Sequence, residues 1–569
     1  MKRRALLLSL LTVGTLAAAR PATAKVQRVQ KDPDRVANYC AENAVGSKCA
    51  PIATGDLNGD GKTDAVFMRT GRTASRGASG SGFGRDLDIL FGPFAVIGDS
   101  TQKADASVTL SSGSELPSIA VDDFDGDGID DLILAEAERV DGTEVQRVAV
   151  LAGGRLFDGD YFMGAASRGN YRLTRELPLS PALSNATAGS PVALRSRLSP
   201  RMADVDGDSK PDLLLAVDPA TLSADLLRSS LRLQLELSTE SPSHVLVFLD
   251  APDLASRSGS GLVLSPGDED IRIEGLGACT TSSLLGTGEV TADGQTDIIL
   301  RRCPGGGVPD MLGLVTGRRD WPASLTIDGA VQGRPNVLPP GPEPTAAPGR
   351  PDPGRPPGRP EDPPRGYVAF SPAPKSLFDR PSAFFIQDVN QDGVADLGFG
   401  FSDKTHIWLG GRNLPARVKA NHSDRVYLQA GFGGTSLSGS WRVTDITGDK
   451  VPDLILTQRS HAQEAAADRP VPAPIVLGGG QTDAVLPGAI TGGGLEVLTE
   501  PVKIYAGART TKNILNLAED EPDAIWQDPS LDLWLIGDFN GDGQDDLMMG
   551  SPGQSGTSAY QVYFGPFTN

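Results

Sequence analysis

The chain alternates short apolar runs with acidic, glycine-bearing turns over nearly its whole length. Directly after the turns come "AVFM" at 65–68, "LILA" at 132–135, "LLLA" at 213–216, "IIL" at 298–300, "LILT" at 454–457 and "LMMG" at 547–550. A second run follows, usually closed by glycine: "LDILFGPF" at 87–94, "VAVLAGG" at 148–154, "HVLVFLD" at 244–250, "MLGLVTG" at 311–317, "HIWLGG" at 406–411, "PIVLGGG" at 474–480 and "QVYFGPF" at 561–567. β-Branched and aromatic residues bounded by glycine and short polar clusters predict strands. A fourth strand is expected in some units, as in "ASVTL" at 106–110 and "ASLTI" at 323–327.

Aligned on D-x-[D/N]-x-D-G-x-x-D, the turns give seven nine-residue loops, beginning at Asp56, Asp123, Asp204, Glu289, Asp388, Asp445 and Asp538. The intervals between them run from 57 to 99 residues, so the unit is fixed while its connections vary. A strand before each loop and three after it make a four-stranded antiparallel sheet. Seven such units predict an all-β fold, a seven-bladed β-propeller over residues 25–569, because radial repetition leaves only short sheet edges. A linear array of small modules would give each sheet two faces to cover and little core. The last unit runs out after its third strand, so "KVQRVQ" at 25–30 is expected to supply its outer strand.

The loop chemistry points to a hard cation. Positions 1, 3 and 5 of an EF-hand loop give side-chain oxygens and position 7 a backbone carbonyl. The same spacing here ends in an Asp at position 9. The expected ligands are Asp56, Asn58, Asp60, Lys62 and Asp64; Asp123, Asp125, Asp127, Ile129 and Asp131; Asp204, Asp206, Asp208, Lys210 and Asp212. They continue with Glu289, Thr291, Asp293, Gln295 and Asp297; Asp388, Asn390, Asp392, Val394 and Asp396. The last two sets are Asp445, Thr447, Asp449, Val451 and Asp453, and Asp538, Asn540, Asp542, Gln544 and Asp546. Position 7 (Lys62, Ile129, Lys210, Gln295, Val394, Val451, Gln544) contributes its carbonyl. An all-oxygen set without His or Cys selects Ca²⁺ over zinc or copper, and Mg²⁺ wants a tighter octahedron. About six or seven ions are expected. The loop at 289–297 is degenerate, and Ser209 and Lys450 replace the position-6 glycine in two others.

Charge fits that expectation. The formal charge is −20, and removal of the basic residues Lys2, Arg3, Arg4 and Arg20 with an N-terminal leader deepens it to −24. The seven loops hold 25 of the 72 acidic residues, so bound divalent ions would offset much of the excess. Such acidity disfavours nucleic acid as a partner. Residues 1–24 form an expected signal peptide: basic residues, an apolar run from Ala5 to Ala19, and "ATA" before Lys25. No later segment has the ~20 apolar residues that span a bilayer. In an exported chain the four cysteines predict two local disulfides, Cys40 with Cys49 and Cys279 with Cys303. Residues 338–365, rich in Pro and Gly, predict an exposed semi-extended insertion, and "SADLLRSSLRLQLEL" at 223–237 a short amphipathic helix.

"FGPF", at 91–94 and again at 564–567, is similar to the Phe-Gly signature of the FG-GAP/VCBS repeat family, and the acidic loops resemble that family's loops. The resemblance covers nearly the whole mature chain. It implies the seven-bladed propeller of integrin α-chain heads and calcium in the loops. For function it implies little, since such repeats occur in adhesins, lectin-like proteins and lyases. No G-x-S-x-G, HExxH or P-loop is present, and His244, His406, His422 and His461 belong to no nucleophile or zinc pattern. Trp408, Trp441 and Trp534 lie in strand-like runs where core packing is the expected role. The expected function is an exported, monomeric, calcium-bound scaffold for adhesion to a protein or glycan; the alternative is a polysaccharide-lyase-like enzyme on the same ring.

Overall fold

The structure, a computed structural model, describes residues 27–29, 34–37, 48–71, 84–94, 104–110, 118–140, 143–155, 157, 159–162, 174–179, 196–219, 243–258, 264, 267–277, 279, 282–303, 311–327, 367–371, 383–401, 404–412, 417–419, 424–428, 437–460, 476–477, 484–485, 498–499, 503–507, 514–516, 522–526, 532–550 and 560–567. Expectations for the leader at 1–24, for Cys40 and its pairing, for the run at 223–237, for His422 and His461, and for the Pro-rich run at 338–365 lie outside these residues.

The chain is all-β among the described residues, apart from one helix at Ala251–Ser258. Seven sheets repeat one order, with one further two-stranded pair, Val476–Leu477 with Ala484–Val485. The first sheet runs Lys48–Gly55, Asp64–Gly71, Gly84–Leu90 and Ala106–Thr109, each strand antiparallel to the last. The inner strands of the others are Ser118–Asp122, Ser196–Ala203, Leu284–Gly288, Ala383–Gln387, Leu437–Thr444 and Asp532–Gly537. Each inner strand turns into one acidic loop.

The continuous apolar runs after the loops have a simple cause. Each is the second strand of a sheet, and successive side chains point to opposite faces. Val66 and Met68 pack on the second sheet, whereas Ala65 and Phe67 pack on the seventh. Leu132 and Leu134 likewise face the first sheet, and Ile133 and Ala135 the third. A strand buried on both faces has no polar alternation to show. Seven hydrophobic clusters result, each shared by two successive sheets. The seventh sheet packs on the first through Phe539, Met548 and Tyr560 against Phe67, Leu90 and Phe94. Each fully buried Leu or Phe contributes about 1.5–3 kcal/mol, so these interfaces hold the sheets together far more than any single hydrogen bond.

Two strand expectations need correcting. "ASLTI" is not an outer strand of its own unit: Ser324–Thr326 lies parallel on Ile271–Glu274, the outer strand of the third sheet, and Tyr367–Ser371 is the outer strand of the fourth. The same detour recurs. After the third strand the chain straps across the outer edge of the preceding sheet, then returns. Gly159–Phe162 pairs parallel with Ala106–Thr109, Arg417–Lys419 with Tyr367–Ser371, and Ile514–Asn516 with Arg425–Leu428.

The N-terminal segment follows the same rule. Gln27–Val29 is a strap, parallel to Ala524–Trp526 of the sixth sheet. The outer strand of the seventh sheet is Arg35–Ala37, antiparallel to Tyr560–Tyr563, and not the run at 25–30. Asp34 marks its start: its carboxylate accepts the Phe564 N–H at 2.8 Å and its own N–H donates to the Val562 carbonyl at 2.9 Å. Asp105, Asp270, Asp424 and Asp523 do the same before the outer strands of the first, third, fifth and sixth sheets. "DRVA" at 34–37 thus matches "DRVY" at 424–427.

Two outcomes are expected from this closure. Deleting residues 25–37 lowers the thermal midpoint of the chain, measured by circular dichroism. Asp34→Ala alone costs about 1–3 kcal/mol in denaturant unfolding, since it leaves a strand-end N–H without its charged acceptor.

Candidate metal centres at the loop ends of the sheets

Each loop begins by burying one side chain. Position 2 is apolar in all seven (Leu57, Phe124, Val205, Val290, Val389, Ile446, Phe539), and every one is at most 1% exposed. That plug drops into the cluster between sheets and holds the acidic positions around it at the surface.

Position 9 is the second anchor. Asp64, Asp131, Asp212, Asp297, Asp396, Asp453 and Asp546 are all buried. One oxygen of each accepts the N–H of position 2, at 2.8 to 3.0 Å. The other accepts the N–H at the end of the third strand: Gly92, Gly153, Asp250, Gly317, Gly410, Gly507 and Gly565, at 2.7 to 3.0 Å. Burial pushes the carboxyls of Asp64, Asp131, Asp212 and Asp546 up to about 7 and those of Asp297, Asp396 and Asp453 to about 6, against the opposing pull of these N–H donors. A carboxylate offers about four lone-pair sites, and these bonds take at least two of them at every position 9.

The remaining acidic positions are folded by backbone N–H groups into a common frame. An oxygen of position 1 accepts the position-6 N–H in every loop, at 2.6 to 2.8 Å. Position 5 accepts the position-7 N–H, at 2.8 to 3.0 Å. Asn58, Asn390 and Asn540 at position 3 accept the position-5 N–H. Positions 4 and 6 are left-handed throughout, including where they are not glycine: Ala292 (φ 56°) and Gln391 (φ 62°) at position 4, Ser209 (φ 70°) and Lys450 (φ 66°) at position 6. The degenerate loop at 289–297 has the same conformation as the others, although the Thr291 hydroxyl is engaged by Asp297 at 3.2 Å.

The donor set suits a cation. In the second loop Asp123, Asp125 and Asp131 bring one oxygen each within 4.8 Å of one another, and in the third Asp204, Asp206 and Asp208 do so. In the first loop Lys62 lies 3.8 Å from Asp60, and in the third Lys210 lies 3.9 Å from Asp208. Hard oxygens converging in a glycine-turned loop fit a hard divalent ion.

Outside the loops, Cys279 and Cys303 form a disulfide with Cα atoms 5.1 Å apart, flanking the inner and second strands of the fourth sheet. Trp408 and Trp526 are core residues, Trp408 edge-on to Phe399 and stacked on His406. His244 is buried. The position-2 plug, the position-9 clamp and the Asp before five of the outer strands are absent from the sequence expectations. The signals were a hydrophobic residue after every first acidic residue, a glycine closing nearly every third strand, and a recurrent Asp one to three residues before a Val or Ile.

Residues 535–564 match the model of the FG-GAP repeat. The chain carries an FG-GAP repeat. The matched FG-GAP segment takes in the end of the inner strand, the loop at 538–546, the second strand and the third. A search of curated proteins finds no match. Among solved structures, BBS1N in complex with ARL6DN is 10% identical over 96% of this chain and 99% of that one, with a TM-score of 0.39. Rhamnogalacturonan lyase YesW is 10% identical over 94% and 75%, TM-score 0.36. The V. cholerae biofilm matrix protein Bap1 is 11% identical over 90% and 76%, TM-score 0.22. At these scores the fold rests on the chain's own strand pairing.

Substitutions separate anchor from rim. Asp131→Ala, which strands three backbone N–H groups, is expected to cost roughly 3–5 kcal/mol in metal-free denaturant unfolding, against under about 1 kcal/mol for exposed Asp127→Ala. Lys450→Gly relieves a left-handed residue and is expected to stabilise the chain by about 1 kcal/mol in the same assay.

Proposed function

We propose that the chain is a seven-bladed β-propeller whose loops hold Ca²⁺, and that it serves outside the cytoplasm as a binding or adhesion scaffold for a protein or glycan. The observation that carries this reading is the sevenfold repetition of one carboxylate frame at the same end of every sheet. A single acidic turn is common in solvated loops. Seven with the same hydrogen bonds, two of them with oxygens already converged, are a built array.

In this reading positions 1, 3, 5 and 7 present oxygens to the ion, and position 9 orients the loop while lending what lone-pair capacity it retains. Calcium, when bound, supplies the positive charge that offsets the clustered carboxylates. Position 2 and position 9 hold the ligands in place without it. Export is supported by the leader-like residues 1–24 and by the Cys279–Cys303 disulfide. Among the described residues no helix is long and apolar enough to cross a membrane. The connections between strands vary in length from unit to unit, which is where a scaffold carries ligand specificity.

Elemental analysis of the purified chain is expected to find several calcium ions per molecule, and excess chelator to lower the melting temperature. At a hundredfold excess over Kd each site contributes about 2.7 kcal/mol, so even a few sites move the transition visibly. A melt that ignores both calcium and chelator sinks the metal reading. A glycan array with and without calcium tests the scaffold, and a polysaccharide-degradation screen on the same samples would replace it with an enzyme if products appear.

A further inference from the structure

The seven loops are not separate. The position-8 N–H of one loop donates to the position-1 carbonyl of the loop before it: Thr63 to Asp538 at 2.8 Å, Asp130 to Asp56 at 3.2 Å, Thr296 to Asp204 at 3.3 Å and Ala395 to Glu289 at 2.8 Å. A second bond runs beside it, from the end of the third strand to the position-2 carbonyl of the preceding loop: Gly154 to Leu57, Arg318 to Val205 and Gly411 to Val290, at 2.7 to 2.9 Å. The sixth and seventh loops are joined by the Thr444 hydroxyl on Asp545 and by the Phe567 N–H on the Ile446 carbonyl.

Among the described residues four of the seven loops make the position-8 bond, and in two of the other three it cannot form. Position 8 is Pro211 in the third loop and Pro452 in the sixth, and proline has no N–H to give. At the first interruption a second residue acts in the same direction. Where Gly153, Gly317 and Gly410 bring a backbone so close that a Cβ would stand 2.9 to 3.0 Å from the preceding loop's position-2 carbonyl, the third sheet has Asp250, which carries a Cβ. The next N–H, of Ala251, turns back to the Pro211 carbonyl of its own loop. Pro252 covers Gly126 of the second loop, in the place where Ile129, Gln295, Lys62 and Gln544 cover the corresponding glycine of their preceding loops. Sheets two and three still share a large hydrophobic cluster, so the break concerns the loops alone.

Position 1 is an expected ligand, and position 8 lies between the carbonyl ligand at 7 and the carboxylate at 9. A cation that orders one loop therefore orders the N–H that fixes its neighbour's first ligand. We infer that cation binding is coupled within two groups of loops, those beginning at Asp445, Asp538, Asp56 and Asp123 and those beginning at Asp204, Glu289 and Asp388, and is uncoupled across Pro211 and Pro452. The inference rests on the calcium reading above. The belt is the contact that joins loop to loop and so carries occupancy between them.

The test is hydrogen–deuterium exchange of loop peptides in the full chain across a calcium titration. Asp127→Ala, in the second loop, is expected to raise the calcium concentration that protects residues 56–64 by about fivefold, the low end of ordinary coupling, and to leave residues 204–212 unmoved. Asp208→Ala, the same position in the third loop, is expected to shift residues 289–297 and leave residues 123–131 unmoved. Asp127→Asn and Asp208→Asn repeat the comparison should an alanine variant lose protection in its strands. Equal shifts on both sides of Pro211, or none beyond the altered loop, overturn the coupling while leaving calcium binding intact. A native chain in which calcium protects no loop overturns both.

Discussion

A buried carboxylate at the last position of each acidic loop is the constraint on which the architecture depends. It is too far from water to be solvated and has no basic partner among the described residues, so it is satisfied by backbone N–H groups. Those groups come from two places at once: the start of the loop and the end of the third strand. One side chain thereby fixes the loop's curvature and its position over the sheet. The apolar residue at position 2 is driven into the core by the same fold, and the exposed carboxylates follow as a consequence of where the two anchors put them.

Much of this was legible in the sequence. The seven loops, the runs after them and the expectation of an all-β chain follow from spacing and composition, because a strand buried on both faces writes itself as an unbroken apolar stretch. What was not legible was which sheet a given strand joins. "ASLTI" at 323–327 reads as the last strand of its own unit by order alone, yet Ser324–Thr326 lies on the previous sheet. Periodicity reports that a strand is present and says nothing of its neighbour. The run at 25–30 was misassigned for the same reason, and the Asp at 34 was the better guide.

One structural role in the candidate loops was not legible from spacing. A carboxylate at position 9 looks like one more ligand when only spacing is considered. Its burial, and the three backbone donors around residues such as Asp64 and Asp131, make it first a structural clamp. Ser209 and Lys450 teach the converse lesson. They break the glycine rule at position 6, yet the two anchors hold them in the left-handed conformation, so a loop's shape outlasts the loss of its most diagnostic residue.

The strap strands govern where this molecule can grow. On either side of residues 328–366 lie Ser324–Thr326, the strap at the edge of the third sheet, and Tyr367–Ser371, the outer strand of the fourth, itself covered by the strap Arg417–Lys419. Sequence added between such a pair starts and finishes on outer strands, away from the acidic loops, with Leu325 of the strap and Ile327 just after it keeping their place in the cluster between the third and fourth sheets. A linker, an epitope or a whole second domain spliced there would enlarge the periphery and leave the architecture within it undisturbed.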